Sequence, residues 1–434
     1  MKCDDPVAHG QYRCRCCIVP PHMLEAIIKN GDAEQRIAAA QTLHLTEQMR
    51  LERLSLVGEA GPAQAADETA GAAHKSRKIY TAANGTGLPG NLVRSEGQGA
   101  SGDAEIDEAY NGLGATFDLY NNVFQRNSID NAGMDLIGTT HYGVKYNNAF
   151  WNGSQMVFGD GDGKLFNRFT IAIDVMGHEL THGVTQYTAK LVYSNQSGAL
   201  NESVSDVFGS MVKQYALGQT SAQADWLIGA GLLAAGVKGV ALRSMKAPGT
   251  AYDDPVLGKD PQPDHMSKYV NTTSDNGGVH INSGIPNKAF YLTSIALGGN
   301  SWDRAGHIWY NTLLDSRLSA SAQFQDFANL TVDNANKLYG ATVGNAVVQA
   351  WQQVGINVAA IVSWQNNKAV LSTYTSPHSM NAWAYIQDNG WRKIQSLTPD
   401  GVTNTFALLV DAQSVNARVN VYLDGTTIYQ AYSV

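Results

Sequence analysis

The chain has 434 residues, 44% of them hydrophobic and 16% charged, which suits two or three globular domains with a sizeable core. Lysine and arginine number 30 against 38 aspartates and glutamates, a formal net charge of −8, so there is no general basic field to attract a phosphate backbone and nucleic acid is not an expected partner. No uninterrupted apolar run reaches the roughly 18 residues of a bilayer span, which predicts a soluble protein without a membrane partner.

The N-terminus, Met1-Lys2-Cys3-Asp4-Asp5-Pro6, lacks the basic segment and apolar core of a secretory signal. It predicts a cytoplasmic protein, with export by an unconventional route as the alternative. All four cysteines, Cys3, Cys14, Cys16 and Cys17, fall in the first seventeen residues, so later segments cannot be disulfide-bonded to one another and are expected to hold by core packing and metal. The thiolates of Cys14, Cys16 and Cys17 suit a metal or an inhibitory contact with one, but reduced cysteines in a short leading segment need no role.

Residues 21–54 read as helical, with Met23, Ile27, Ile28, Ile37, Leu43 and Leu45 as spaced apolar positions behind Pro20 and Pro21. Residues 58–78 turn small and polar and carry basic residues, the composition of a linker with a processing site. Residues 79–162 mix Gly and Asn turns with short aromatic and β-branched runs, which predicts a β-rich lobe. Residues 169–356 become mostly helical. Residues 362–434 carry short apolar runs, among them residues 406–410, and an Asp424-Gly425 hairpin turn, which predicts a small separate β domain. There Trp383, Tyr385, Trp391 and Tyr429 fit either a binding face, making this domain the working part, or an aromatic core.

The strongest chemical signal is His178-Glu179-Leu180-Thr181-His182, in a segment whose apolar residues advance by three or four. Two histidines four apart on a helix share a face, so both imidazoles can reach one tetrahedral zinc, with Glu179 beside the open position. Downstream, Glu202 and Asp206 are again four apart on a helical pattern. One carboxylate can bind zinc while the other accepts the ring N–H of a ligand histidine. Three protein ligands leave a place for water, which makes the site catalytic rather than structural.

These segments, with Asn148-Ala149-Phe150-Trp151-Asn152-Gly153-Ser154, Gly198-Ala199-Leu200-Asn201-Glu202 and Asp275-Asn276-Gly277-Gly278-Val279-His280, closely resemble the thermolysin family of zinc metallopeptidases. The resemblance runs in order from about Ile79 to Ile356. It implies an α+β fold, with a β-rich lobe and a helical lobe around a zinc helix, and a zinc-dependent neutral endopeptidase acting on peptides and proteins. His178, His182 and Glu202 match the zinc ligands, Glu179 the general base, and Asp206 and Asn201 positions that support the ligands. His280 and Tyr193 match the oxyanion donors and Asp275 the carboxylate that orients the histidine; without the resemblance, His280 reads first as a histidine capping the turn after Gly277-Gly278. Asn148, Ala149 and Arg243 match substrate-backbone contacts. Phe166, Phe169, Val175 and Leu242 match a pocket that favours large hydrophobic residues after the cut, although as residues alone they read as core. The peptide-binding match makes a non-peptide zinc substrate less attractive.

Asp174 matches a calcium carboxylate, but Lys213 stands where its partner is expected, so calcium is not expected there and the Lys213 ammonium is expected to pair with Asp174. Val240 replaces a further calcium aspartate, and Asp160-Gly161-Asp162-Gly163 reads as tight turns. Residues 17–24 resemble the propeptide start of protealysin-like enzymes. The chain therefore reads as a proenzyme: propeptide 1–57, acting as its own inhibitor, processing region 58–78, catalytic domain 79–357 and accessory β domain 362–434 of unknown ligand.

Overall fold

The computed structural model describes residues 17–56, 73–359, 362–395, 398–424 and 426–434. Cys3, Cys14, Cys16, most of the linker and Gly425 of the expected hairpin lie outside them. The chain forms two compact units, Met1–Phe327 and Ala328–Val434.

The first unit begins with α1 (Pro21–Asn30) and α2 (Ala33–Leu56), two helices within the stretch that reads as helical. Gly31 closes α1 by donating its N–H to Ile27 O at 2.8 Å. Asp32 restarts the helix: its carboxylate accepts from the Glu34 and Gln35 amides at 2.9 Å, while the Gln35 side chain accepts from Asp32 N at 2.8 Å. This reciprocal capping box satisfies donors that would otherwise be orphaned. Met23, Leu24 and Ile27 are buried, each stabilising by about 1.5–3 kcal/mol.

A five-stranded sheet follows, built from β1 (Arg77–Thr81), β2 (Asn91–Ser95), β3 (Leu136–Thr140), β4 (Ala149–Trp151) and β5 (Met156–Phe158) in the order β2-β1-β3-β5-β4. β4 is therefore a sheet edge, antiparallel to β5. Inserted between β2 and β3 is α3 (Ala104–Phe124), a helix that the β-rich reading misses. Its start is capped by Asp103, which accepts from Glu105 N and Ile106 N, and it buries Ile106, Tyr110, Leu113, Phe117, Tyr120 and Phe124 at helical spacing.

The helical lobe contains α4 (Ile173–Tyr187) and α5 (Asn195–Leu217). Two short antiparallel pairs follow, β6 (Leu227–Ile228) with β7 (Arg243–Ser244) and β8 (Asp253–Asp254) with β9 (Gly258–Lys259). Then come α6 (Asp275–Asn282), α7 (Gly284–Leu297), α8 (Arg304–Leu314) and α9 (Phe324–Tyr339). Glycine lets α4 and α5 approach closely: a Cβ on Gly177 would lie 2.9 Å from Gly209 Cα, and one on Gly209 would lie 2.3 Å from Asp174 O. This contact brings ligand-bearing faces of two helices together. Among the described residues no helix is long and apolar enough to cross a membrane.

The second unit contains α10 (Ala341–Gln353) and a closed barrel of β10 (Ser363–Thr375), β11 (Ala382–Ile386), β12 (Gly390–Ile394), β13 (Arg418–Leu423) and β14 (Thr427–Ser433). The strands run β10-β11-β12-β14-β13, with β12 and β14 parallel and the other pairs antiparallel. The β region also carries one helix, α11 (Pro399–Ser414), which contains the run 406–410 expected as a strand. Thr398 accepts from Gly401 N to cap it, Pro399 starts it, and Val402, Leu409 and Ala412 at helical spacing join the barrel core.

Candidate metal centre and substrate cleft

His178 and His182 lie one turn apart on α4, and Glu202 faces them from α5. Their Nε2 atoms are 3.0 Å apart, and each is 3.5 Å from a Glu202 carboxylate oxygen. All three residues are fully buried. His178 Nδ1 is 2.8 Å from an Asp206 carboxylate oxygen, which can only accept, so Nδ1 carries the proton. Asn201 donates its Nδ2 to Leu191 O, which turns its Oδ1 toward His182 Nδ1 at 2.8 Å and sets the same tautomer there. Ser205 Oγ is a further partner of that nitrogen, at 2.9 Å.

Two ring lone pairs and a carboxylate thus face one another in a dry site, a repulsive arrangement without a cation. A tetrahedral zinc with bonds of about 2.0–2.1 Å spaces its ligands by about 3.4 Å, close to what these atoms show. Glu202 Oε2 is buried with no hydrogen-bond partner, a second sign that a cation belongs there. Burial holds His182 down to about 3, the neutral form a metal needs. Burial works against ionised Glu202, but His280, His182 and His178 outweigh it and keep the carboxyl below its ordinary range.

Asp206 is held in turn by Arg243, whose Nε and Nη2 donate to its two oxygens at 2.8 Å, and by Asn287 Nδ2 at 2.8 Å. Burial opposes this charge, yet Arg243 and His178 depress the Asp206 carboxyl strongly. Glu179 points to the same site without joining the ligand set. Its Oε2 accepts the Trp151 backbone N–H at 3.1 Å and its Oε1 is buried without a partner. Burial first, and Glu202 second, push its carboxyl well above the usual range.

On the other side, Tyr193 OH lies 3.1 Å from His280 Nε2 and donates a short hydrogen bond to Glu202 Oε1. Asp275 accepts from His280 at both Nδ1, 2.6 Å, and backbone N, 2.9 Å. Residues 275–278 all have positive φ, and a Cβ on Gly277 would lie 2.3 Å from Asn195 Oδ1. This left-handed turn, which only glycine adopts freely at its centre, precedes His280 and so sets its aim into the cleft. Gln262 Nε2 fastens the same residue by donating to His280 O at 2.8 Å. Gln262, Asn287 and the Trp151 amide are absent from the sequence reading, because folding brings each from a distant segment with no local spacing to mark it.

Edge strand β4 is paired with the chain's own N-terminal segment. Cys17 bridges Phe150 in antiparallel fashion, Ile18 N donates to Ala149 O at 3.2 Å, and Asn148 exchanges bonds of 2.9 and 3.2 Å with Val19 N and Val19 O. Arg243 Nη1 donates to Ile18 O at 3.1 Å. Asn148, Ala149 and Arg243, the expected substrate-backbone contacts, therefore grip residues 18–19. Cys17 packs among Tyr142, Tyr146, Phe150 and Val157, and among the described residues it joins no group of metal-ligating side chains. On the same surface Glu34 pairs with Lys145 and Lys164, and His22 Nε2 lies 3.3 Å from Tyr252 OH.

The four expected pocket residues are all closed to solvent. Phe166 and Phe169 have ring centroids 5.9 Å apart, Val175 lies in the first turn of α4, and Leu242 precedes Arg243. Lys213 Nζ is 3.3 Å from Asp174, 2.8 Å from Asp225 and 3.4 Å from Leu227 O. Asp160, read as a turn residue, joins a second group with Glu105 and His141. His141 also reaches the cap residue Asp103 at 3.1 Å, so this group ties the start of α3 to the segment after β3. Burial and the Asp160 carboxyl push Glu105 up to about 8. Asp162 does cap a turn, accepting from the amides of Lys164, Leu165 and Phe166.

Residues 47–186 match the thermolysin metallopeptidase catalytic domain, and residues 189–356 its alpha-helical domain. An "Extracellular metalloprotease" of Pectobacterium carotovorum is 58% identical over 343 residues, covering 79% of this chain and 97% of that protein. An "Extracellular minor metalloprotease" of Serratia marcescens is 42% identical, covering 65% of this chain and 78% of that protein. The structure of a precursor of protealysin, a metalloproteinase from Serratia proteamaculans, is 53% identical, with a TM-score of 0.70 over 79% of this chain and 99% of that one. The names of the first two overturn the cytoplasmic expectation and point to a secreted protein. Signal-like composition in the first residues bears on a single export route, so it does not decide between cytoplasm and exterior. The chain is a zinc metalloendopeptidase made as a proenzyme: it belongs to the thermolysin family of metallopeptidases, among its protealysin-like members.

Proposed function

We propose that His178 Nε2, His182 Nε2 and a Glu202 oxygen hold the zinc, and that this cleft cuts extended peptides before large hydrophobic residues. The convergence of two proton-free ring nitrogens on a buried carboxylate carries the reading. Zinc held there supplies a Lewis acid that polarises the scissile carbonyl and acidifies water. Glu179 takes the proton of the attacking water and passes it to the leaving nitrogen. Tyr193 and His280 donate hydrogen bonds to the carbonyl oxygen as its charge develops. Against the cost of burial, Asp275 and Glu202 raise the His280 pKa and so favour its charged, donating form. Asp275 orients His280, and Asp206 and Asn201 fix the ligand rings. Asn148, Ala149 and Arg243 pair with the substrate backbone as they pair with residues 18–19. Phe166, Phe169, Val175 and Leu242 form the pocket beyond the cut.

In this reading the protein acts outside the cell, and residues 17–30 hold the cleft closed until the propeptide is removed. The Lys213 ammonium, between Asp174 and Asp225, takes the place of calcium. The mature enzyme is expected to cleave a peptide with Leu or Phe after the scissile bond. The zinc chelator 1,10-phenanthroline should abolish this and zinc should restore it, while millimolar calcium should leave the unfolding temperature unchanged. Cleavage that survives the chelator sinks the zinc assignment, and a calcium-dependent rise in unfolding temperature sinks the lysine replacement.

The closed cleft is also expected to loosen in acid. Burial holds docked His22 at about 4, against 6.5 when free. Asp275 opposes that shift, while His280 and Arg243 reinforce it, and Tyr252 is the hydrogen-bonding neighbour. The released segment binds more protons than the docked one between those values, so docking is full above about 6.5 and weakens as pH falls toward 4. Hydrogen exchange in α1, corrected for intrinsic rates, should therefore show less protection at pH 5 than at pH 7. His22→Asn should remove the difference, and a difference that persists in this variant would assign it to another group.

A further inference from the structure

The C-terminal barrel closes in the order first-second-third-fifth-fourth strand, with a helix between the third and fourth and a parallel pairing of third and fifth. This is the topology of an OB-fold, whose second and third strands and adjoining loops form a general binding face for oligonucleotides and oligosaccharides. It is an addition to the peptidase. The Pectobacterium relative has 97% of its length matched within 343 residues of this chain, leaving too little for a counterpart.

The barrel core is aliphatic: its buried residues include Val370, Ile386, Ile394, Leu409, Val421 and Ile428, and among the described residues none of them is aromatic. Phe406 packs against this core from α11, while the tyrosines and tryptophans of the strands stand outside. By register Tyr374 pairs with Trp383, and Tyr385 pairs with Trp391. Alternation puts these four on the outer face, opposite buried Ala382, Ala384 and Ile386. Tyr374, Tyr385 and Trp391 are 54%, 37% and 44% exposed. Trp383 Nε1 donates to Asn381 Oδ1 at 2.9 Å, which fixes the indole. Tyr374, Trp383 and Trp391, with Ser372 and Asn381, line an open cleft of about 660 Å³. Tyr429 belongs elsewhere, beside Tyr422 with centroids 6.5 Å apart.

We propose that this face binds an extended neutral oligosaccharide, the chain of a surface or matrix polysaccharide. Two aromatic pairs roughly 7 Å apart along β11 offer successive platforms for the apolar faces of sugar rings. The flanking Ser and Asn groups suit hydroxyls. Charge selects the sugar over a nucleic acid. In residues 362–434, Lys368, Arg392, Lys393 and Arg418 are offset by Asp388, Asp400, Asp411 and Asp424. Lys368 is also paired with Asp388 at 3.0 Å. A groove that tracks a phosphate backbone needs a surplus of cations; the strand register puts one cation, Lys393, opposite Trp383 on this face, and the domain as a whole has no surplus.

The test is calorimetric titration of the full-length protein with neutral β-1,4-linked hexasaccharides of glucose, N-acetylglucosamine and xylose, and with oligothymidylate. At least one hexasaccharide should bind with an affinity indifferent to salt. Trp391→Ala should weaken that binding about tenfold, the scale of one lost stacking ring, while Trp391→Phe restores it. Peptidase activity on a short peptide should be unchanged in both variants. The proposal is overturned if no hexasaccharide binds, if Trp391→Ala and Trp383→Ala bind as wild type does, or if oligothymidylate binds in their place with a steep loss in salt.

Discussion

Glu179→Gln is expected to lower kcat/KM on a peptide substrate by about three orders of magnitude while zinc content stays that of the wild type. The substitution keeps the shape of the side chain and an oxygen to accept the Trp151 N–H, the hydrogen bond Glu179 makes among the described residues. What it removes is an oxygen able to take a proton, the function worth about 10²–10⁴ in rate when a base is well placed. Glu179 is outside the ligand group of His178, His182 and Glu202, so metal affinity should not depend on it. The propeptide is to be removed from both proteins by the same added protease before rates are compared. Activity within tenfold of wild type would deny Glu179 its role as base. Loss of zinc would instead mean that the carboxylate helps to hold the metal.

The parts of this centre that were legible in the sequence are those that a helix places by itself. His178 and His182 recur at one helical turn, as do Glu202 and Asp206, and periodicity alone puts each pair on one face. What joins the two pairs is the close contact of α4 and α5 at Gly177 and Gly209, and no local pattern declares it; the family resemblance supplied that link. Asn287 and Gln262 lay beyond reach because each meets its partner, Asp206 or His280, only through the folded chain. Helix α3 was hidden differently. Its cap and its apolar period were present, but the Gly- and Asn-rich flanks dominated the reading of that lobe. In the barrel, residues 406–410 are a short apolar run of the kind that period alone cannot assign to strand or helix; Thr398 and Pro399 at its start were the deciding signal.

Arg243→Met is expected to lower the unfolding free energy by about 3–5 kcal/mol, the usual consequence of removing one partner from a buried ion pair. Arg243 is 3% exposed and Asp206 is closed to solvent, and the guanidinium grips both carboxylate oxygens. Without it Asp206 keeps only His178 and Asn287, and a charge that Arg243 did most to hold ionised becomes costly to bury. The effect should spread to the metal. Asp206 fixes the tautomer of His178, and loss of such a partner lowers metal affinity about 10–100-fold. Arg243→Lys retains the charge but not the two parallel bonds, so it should fall between wild type and Met in both measurements. Denaturant unfolding of the mature enzyme, with zinc affinity measured alongside, separates the contributions. If Arg243→Met unfolds as wild type does while substrate affinity alone drops, Arg243 serves the peptide carbonyl, as it serves Ile18 O in the proenzyme, and Asp206 does not depend on it.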